Sequence, residues 1–235
     1  MGIVNLDGST DLPRPRPGTC GERRRQLIDV AEQVFLEKGY HQATMDDIAR
    51  RAGMSKKTIY VVFPGKAALF DALLAERLAP LAAPIPDDGR PPALVLEEFL
   101  HAAARVALSS RQLALTRLLV AESPQSPEVV AALRAQSVCN GHGALDQWLA
   151  TQAARGTLRL TDAREAAALL FGMSIGELVL AQLVKADPAP SEAAVAERIA
   201  LAVRVFLAAF AREPLAGGVD QLQRQLRISG MSSPY

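Results

Sequence analysis

The groups best suited to chemistry in this chain are the charges and hydroxyls of four neighbouring residues: Lys56, Lys57, Thr58 and Tyr60. Lysine ammonium groups pair with phosphates, and hydroxyl groups form hydrogen bonds with phosphates and base edges. Ser55, directly before them, is a residue type that caps helix N-termini. The spacing therefore predicts a short helix that carries these groups at its start and suits the major groove of DNA.

A helix predicted just before this one would hold it in place. Thr44 is an N-cap residue type, and Asp47 stands three residues later, which predicts a capping box. The apolar side chains of this helix share one face: Met45, Ile48, Ala49 and Ala52. Gly53 follows in the position of a left-handed C-cap residue. The second helix should place Ile59 and Phe63 inward, so that the two helices pack across a tight turn.

The composition favours a helical protein with a weakly basic N-terminal part. The chain is 49% hydrophobic but only 5% aromatic, which favours packed helices over a β-sandwich. Its net charge is only +1, yet residues 1–66 hold 11 Lys and Arg against 8 Asp and Glu. A local positive excess of this kind fits phosphate binding by the N-terminal part.

Several classes of protein are disfavoured. Cys20 and Cys139 form neither a disulfide framework nor a metal cluster, and no nucleophile–base pair or phosphate-binding loop is present. We therefore expect no enzyme activity, cofactor or metal. No secretory signal is visible, and the longest uncharged apolar run, 166–176, falls short of the roughly 18–20 residues that span a bilayer. The expectation is a soluble cytoplasmic protein without a membrane partner.

The predicted architecture is all-α. We predict a flexible tail over residues 1–22, a helix-turn-helix domain over 23–82, a larger helical domain over 83–213 and a second tail over 214–235. The proline-rich stretch 82–92 marks the boundary between the two domains. The helices predicted beyond it are 93–108, 111–122, 127–155, 162–185 and 191–212, with one more short helix at 220–227.

Residues 23 to about 81 resemble the DNA-binding domain of the TetR family of bacterial transcriptional regulators. The resemblance lies in "AEQVFLEKGY" (Ala31 to Tyr40), "TMDDIARRAGMSKKTIY" (Thr44 to Tyr60) and "FPGKAALF" (Phe63 to Phe70). It implies a homodimeric regulator with a helical ligand-binding domain, most often a repressor that an effector releases from its operator. "LLVAESPQSP" (Leu118 to Pro127) also resembles a stretch of AefR-like regulators.

The resemblance assigns DNA contacts to Thr44, Ser55, Lys56, Lys57, Thr58, Tyr60 and Lys66. Thr44 would offer its hydroxyl and a helix N-terminus to a phosphate, and Ser55 would act chiefly as a cap. Tyr60 and Lys66 would touch the DNA backbone. The alternatives are a solvated charged face for the lysines and packing of the Tyr60 ring against the amphipathic helix predicted over residues 23–39.

Some neighbouring residues keep two interpretations. Val61 and Val62 stand where the family often has polar or aromatic residues, so one backbone contact is missing. One valine would meet a thymine methyl group, and the other would join the core. Basic residues before the first helix, Arg14, Arg16 and the triplet 23–25, would reach DNA or remain in solvent.

The larger domain should supply a dimer interface and an effector pocket. The helix predicted at 162–185 is apolar on nearly all faces, as in a helix buried on several sides. Predicted dimer contacts are Gly172, Gly176, Val203 and Phe206; the alternative is an ordinary core helix.

Predicted pocket residues are His101, Trp148, Phe171 and Met173, with Cys139, His142 and Ile175 as further candidates. An apolar lining would suit a hydrophobic or aromatic effector. The alternative function is an architectural DNA-binding protein without an effector.

Overall fold

The computed structural model describes residues 20–135, 143–185 and 188–212. Within these ranges the chain forms helices and one isolated bridge between Leu158 and Ala211, and no strand. The predicted all-α architecture is confirmed. The N-terminal tail to residue 19, the helix predicted at 220–227, Cys139 and His142 lie outside the described residues.

Four helices form the N-terminal part: α1 (Cys20–Lys38), α2 (Met45–Ala52), α3 (Lys56–Val62) and α4 (Lys66–Ala82). They enclose a buried core in which the rings of Phe35, Tyr40 and Phe70 pack with centroids 4.7–5.6 Å apart. Aromatic rings at these separations attract one another beyond the effect of burial alone. This core fixes α2 and α3, the predicted helix pair, against α1 and α4.

Seven further helices follow: α5 (Pro92–Ala107), α6 (Ser110–Glu122), α7 (Pro127–Ala135), α8 (Ala144–Ala154), α9 (Ala163–Phe171), α10 (Glu177–Val184) and α11 (Glu192–Phe210). Helices α5, α8, α9 and α11 surround a second core. Helices α6 and α7 instead place Leu115, Leu119 and Val129 in the first core. The N-terminal part is thus packed directly against two helices from beyond the proline-rich stretch.

Two predicted helices are each divided. The helix predicted at 127–155 is wrong as a continuous element, because α7 and α8 are separate and Gly143, with φ 45°, precedes α8 in a conformation that favours glycine. The helix predicted at 162–185 contains a π-helical turn, Gly172–Gly176, between α9 and α10. The Ser174 hydroxyl donates to the Leu170 carbonyl at 2.7 Å, and Arg198 Nε donates to the Met173 carbonyl at 2.7 Å. These bonds satisfy backbone groups that the wider turn displaces.

Candidate nucleic-acid interface

Helix α2 begins and ends as the sequence predicts. Asp47 N–H donates to Thr44 Oγ1 at 3.1 Å and Thr44 N–H donates to Asp47 Oδ2 at 3.2 Å, which completes the capping box. Gly53 ends the helix with φ 65°. The Lys38 ammonium at 2.7 Å and the Thr44 hydroxyl hold the pKa of Asp47 well below its usual range. The ionised carboxylate therefore stays in place as the acceptor for the start of α2.

Helix α3 is capped by Ser55, whose Oγ accepts from Thr58 N–H at 3.1 Å. The Thr58 hydroxyl lies 2.8 Å from the same oxygen, so it is already engaged within the helix start. Ile59 and Phe63 are buried and anchor the helix to the core, as predicted. The opposite face of α3 is open to solvent, which is the arrangement a groove-binding helix requires.

The two lysines of α3 differ in their partners. Lys56 forms an ion pair with Asp46 of α2, and both side chains are more than half exposed. Such surface pairs contribute little stability and exchange readily for a phosphate. Lys57 is exposed, and its ammonium has no hydrogen bond or ion pair with any described residue. It is the cation on this face that is most available to DNA.

The residues after Lys57 resolve two alternatives left open by the sequence. Tyr60 is 51% exposed, so its ring is not packed away against α1. Val62 packs against the first core, whereas Val61 is 80% exposed. The triplet 23–25, predicted to precede the first helix, lies within α1. The guanidinium of Arg24 stacks 4.6 Å from the centre of the Phe63 ring.

Lys66 differs from its predicted role. Its ammonium lies 2.8 Å from the Tyr40 carbonyl oxygen, 3.3 Å from that of His41 and 3.2 Å from that of Ala43. It also sits 4.4 Å above the Tyr40 ring. An ammonium has three N–H donors, and carbonyls beyond a helix end need such donors. Lys66 therefore holds the connection between α1 and α2 inside the protein, where the sequence predicted a contact with the DNA backbone.

Sequence reasoning missed a charged cluster that joins the helix-turn-helix to the rest of the chain. The side chain of Glu32, on α1, is only 4% exposed. Its carboxylate accepts from Arg77 Nε of α4 at 2.9 Å and from Arg111 Nε of α6 at 2.7 Å. The Glu32 hydrogen bond holds the pKa of Arg111 above its usual value. The available signal was an acidic residue one turn after Ile28, on the apolar face of α1.

A second set of contacts lies at the end of α1. The Tyr40 hydroxyl donates to Glu128 of α7 at 2.7 Å, and His41 N–H donates to Glu122 of α6 at 3.1 Å. Burial, with the Glu128 carboxylate, raises the pKa of Tyr40 above its usual range, so the phenol stays protonated as a donor. The start of α2 is thus tied to α6 and α7.

The predicted dimer contacts fall into two groups. Val203 and Phe206 are fully buried in the chain's own second core, so their side chains are not available to a partner and these two assignments are wrong. Helix periodicity predicts that the two residues share one face, but it does not say whether that face meets the chain's own core or a partner. Gly172 is exposed with no atom within 4 Å of an added Cβ, and Gly176 has only the Phe171 carbonyl at 3.9 Å.

Helices α9 and α10 present an exposed apolar face. It carries Leu169, Leu180 and Val184, each more than half exposed. By length and composition the continuous helix 163–184 is apolar enough to cross a membrane, which the short uncharged run had not indicated. Only 22% of its most apolar window is buried within the chain. An exposed apolar face of this kind is typical of interaction surfaces.

The predicted pocket residues are not brought together. Trp148 is buried, and its indole N–H has no acceptor among the described residues. Phe171 and Met173 are half-buried against the same core, and His101 is half-buried on α5. A cleft of about 280 Å³ between residues 86–92 and α8 is lined by Trp148 but by none of the other three. A neighbouring cleft of about 270 Å³ beside α5 is lined by none of the four.

Comparison with known proteins gives matches to both parts of the chain. Residues 27–73 match the model of bacterial regulatory proteins of the tetR family. Residues 94–212, just over half of the chain, match the AefR-like transcriptional repressor C-terminal domain.

Curated relatives match over short stretches of the chain. The transcriptional activator FasR of Mycolicibacterium smegmatis is 51% identical over 53 residues, which is 23% of this chain and 24% of FasR. The regulator SrpR of Pseudomonas putida is 40% identical over 70 residues, which is 30% of this chain and 33% of SrpR. The matches thus span only a quarter to a third of these relatives.

Solved structures match over most of the chain. A TetR-family regulator from Mesorhizobium loti has a TM-score of 0.70 at 22% identity, covering 83% of this chain and 100% of the other. The flavonoid-responsive regulator FrrA has a TM-score of 0.68 at 27% identity, covering 82% and 99%. The fold around α3 and the fold of the larger part are therefore both shared with proteins described as regulators.

Proposed function

The chain belongs to the TetR family of bacterial regulators and is a DNA-binding transcriptional regulator, and we propose that it is a cytoplasmic homodimeric repressor released from its operator by a small apolar or aromatic effector. Family membership places it among regulators rather than enzymes. The operator, the dimer and the effector are the proposed parts, and each rests on a different region of the molecule.

The observation that carries operator binding is the solvent face of α3. Ile59 and Phe63 hold the helix rigidly from behind, while Lys57 faces solvent without a protein partner. Lys56 can exchange its exposed partner, Asp46, for a phosphate. Lysine charges supply the affinity of such an interface through counterion release, and the groups beside them supply base contacts.

The proposed dimer would use the apolar face of α9 and α10. The exposed Leu169, Leu180 and Val184 need a cover, and Gly172 and Gly176 leave room for the backbone of another helix. A second copy of the chain would cover this face symmetrically, as in most homo-oligomers. Two copies of α3 would then read half-sites about 34–36 Å apart, or a multiple of that distance.

The proposed effector would bind in the larger part of the chain. The second core, with Trp148, Phe171 and Met173 at or near it, offers apolar and aromatic surface. FrrA, which is similar over most of its length, is by its name flavonoid-responsive, and flavonoids are aromatic compounds. This likeness supports an effector of aromatic character for the present chain.

Helix α6 gives the effector a physical route to the DNA-binding helices. Its Arg111 contacts Glu32 of α1, and its Glu122 contacts the His41 N–H before α2. Between them, Arg117 donates to the carbonyls of Gln182 and Leu183 at the end of α10, at 2.5 and 3.0 Å. A shift of α10 or α6 would thus displace α1 and α2. Two sites that bias one such element are coupled reciprocally.

The test is binding to DNA in the presence and absence of candidate effectors. The full chain would be used to select DNA from a random pool, and the selected sequence would be sought upstream of the protein's own gene. We expect a palindromic site with a nanomolar-scale affinity that falls when apolar aromatic compounds, flavonoids first, are added. If the chain showed no sequence preference, the proposal that it binds a specific operator would be refuted. Binding that no compound weakens would instead favour the architectural alternative.

A further inference from the structure

We propose that Val61 is a specificity-determining residue that reads the 5-methyl group of a thymine in each half-site of the operator. The inference rests on the proposed binding of α3 in the major groove and names one base that it recognises. Val61 is 80% exposed, which is the highest value among the large apolar side chains that are exposed in the described ranges. No described residue covers it.

The position of Val61 on α3 places it at the centre of the open face. Residues four apart share one face of a helix, so Ile59 and Phe63 define the buried side and Lys57 and Val61 the opposite side. Val61 therefore lies one helical turn after Lys57 on the same face, and the Lys57 ammonium has no partner among the described residues. A phosphate contact by Lys57 would bring the valine to the groove together with it.

The chemistry of valine selects one kind of base contact. It has no hydrogen-bonding group, and in the major groove the apolar feature that distinguishes one base is the thymine methyl. Its branched side chain is held in one rotamer on a helix, so little conformational freedom is lost on contact. The neighbouring valine does not compete for this role, because Val62 packs against the core.

The experiment replaces single thymines by deoxyuracil, which removes the methyl group and leaves every hydrogen-bonding group unchanged. Each thymine of the selected operator would be replaced in turn, and binding measured for the wild-type chain and for Val61→Ala. We expect one thymine per half-site at which wild-type affinity falls about fourfold, or about fifteenfold when both half-sites are changed, as burial of one methyl group predicts. Val61→Ala should show much less loss at that thymine.

The other outcomes overturn the inference without touching the proposed function. If the wild type binds the operator and no uracil replacement weakens it, Val61 reads no methyl group. If uracil weakens the wild type and Val61→Ala equally, another residue makes the contact. Leu94→Ala is the control variant: it removes an exposed apolar side chain from α5. Its affinities for the thymine-containing and the uracil-containing operator should equal those of the wild type. A wild-type chain that binds no operator would refute the proposed function itself.

Discussion

The buried carboxylate of Glu32 on α1 accepts a hydrogen bond from the Arg111 guanidinium on α6 at 2.7 Å, across 79 residues of sequence. Arg77 of α4 approaches the same carboxylate at 2.9 Å. The helix that supports the DNA-binding pair is thus held at one side chain by α4 and by α6, which belongs to the larger part. A two-state movement of the larger part would be transmitted to α1 through this contact.

Removal of one arm of this clamp should destabilise the chain. Arg77 is nearly buried, so Arg77→Met leaves the Glu32 charge with less compensation, and we expect a loss of about 2–3 kcal/mol in the free energy of unfolding. Urea denaturation followed by circular dichroism measures it. Arg90→Met is the matched control, because Arg90 is exposed and pairs only at the surface with Asp88 and Glu98. An equal loss of stability in both variants would contradict the claim that Arg77 stabilises the fold by compensating the buried charge of Glu32.

Lys57→Ala should weaken operator binding through the loss of one phosphate contact. The slope of log affinity against log salt concentration should fall by about one unit, while the order of preference among operator sequences is retained. Fluorescence anisotropy at several salt concentrations measures both. Arg105→Ala removes one exposed positive charge from α5 and should leave the slope unchanged. If the two variants behaved alike, net charge rather than a contact by Lys57 would account for the effect.

Lys66→Met separates an internal role from a DNA contact. The ammonium bonds to three carbonyls before α2, so its loss should lower the free energy of unfolding by about 1–3 kcal/mol and loosen the start of that helix. Operator affinity should also fall, but with an unchanged salt slope. A slope that fell by one unit, as expected for Lys57→Ala, would restore the phosphate contact predicted from the sequence.

The lowered pKa of Asp47 predicts how the free energy of unfolding depends on pH. Because Lys38 and Thr44 lower the folded-state pKa, the carboxylate contributes stability that is present above the unfolded-state pKa of about 3.9 and is lost as the pH falls through the folded-state value. The stability difference between the wild type and Asp47→Asn should therefore be constant from about pH 5 to 8 and shrink below about pH 4. Urea midpoints over this range measure it, and a difference that grew on acidification would contradict the assigned shift.

The sequence predicted local features well and distant contacts poorly. The caps at Thr44, Gly53 and Ser55 depend on neighbours within a few residues, so residue type and spacing suffice. Lys66 reaches carbonyls more than twenty residues away, and its use there depends on how α4 packs against α1. Phe206 lies on an apolar face of α11, but periodicity does not say whether that face meets the chain's own core or a partner. Such choices are made by tertiary packing.

The proposed dimer depends on close approach at Gly172. This glycine has helical φ and ψ of −57° and −46°, and a Cβ there meets no atom of its own chain within 4 Å. Gly172→Leu should therefore leave the monomer fold intact and obstruct only a second chain, giving the mass of one chain by light scattering and a weak affinity for a two-half-site operator. Ala154→Leu adds a similar side chain at an exposed position of α8 and should stay dimeric. A Gly172→Leu chain that remained dimeric would contradict close approach of a second chain at this glycine.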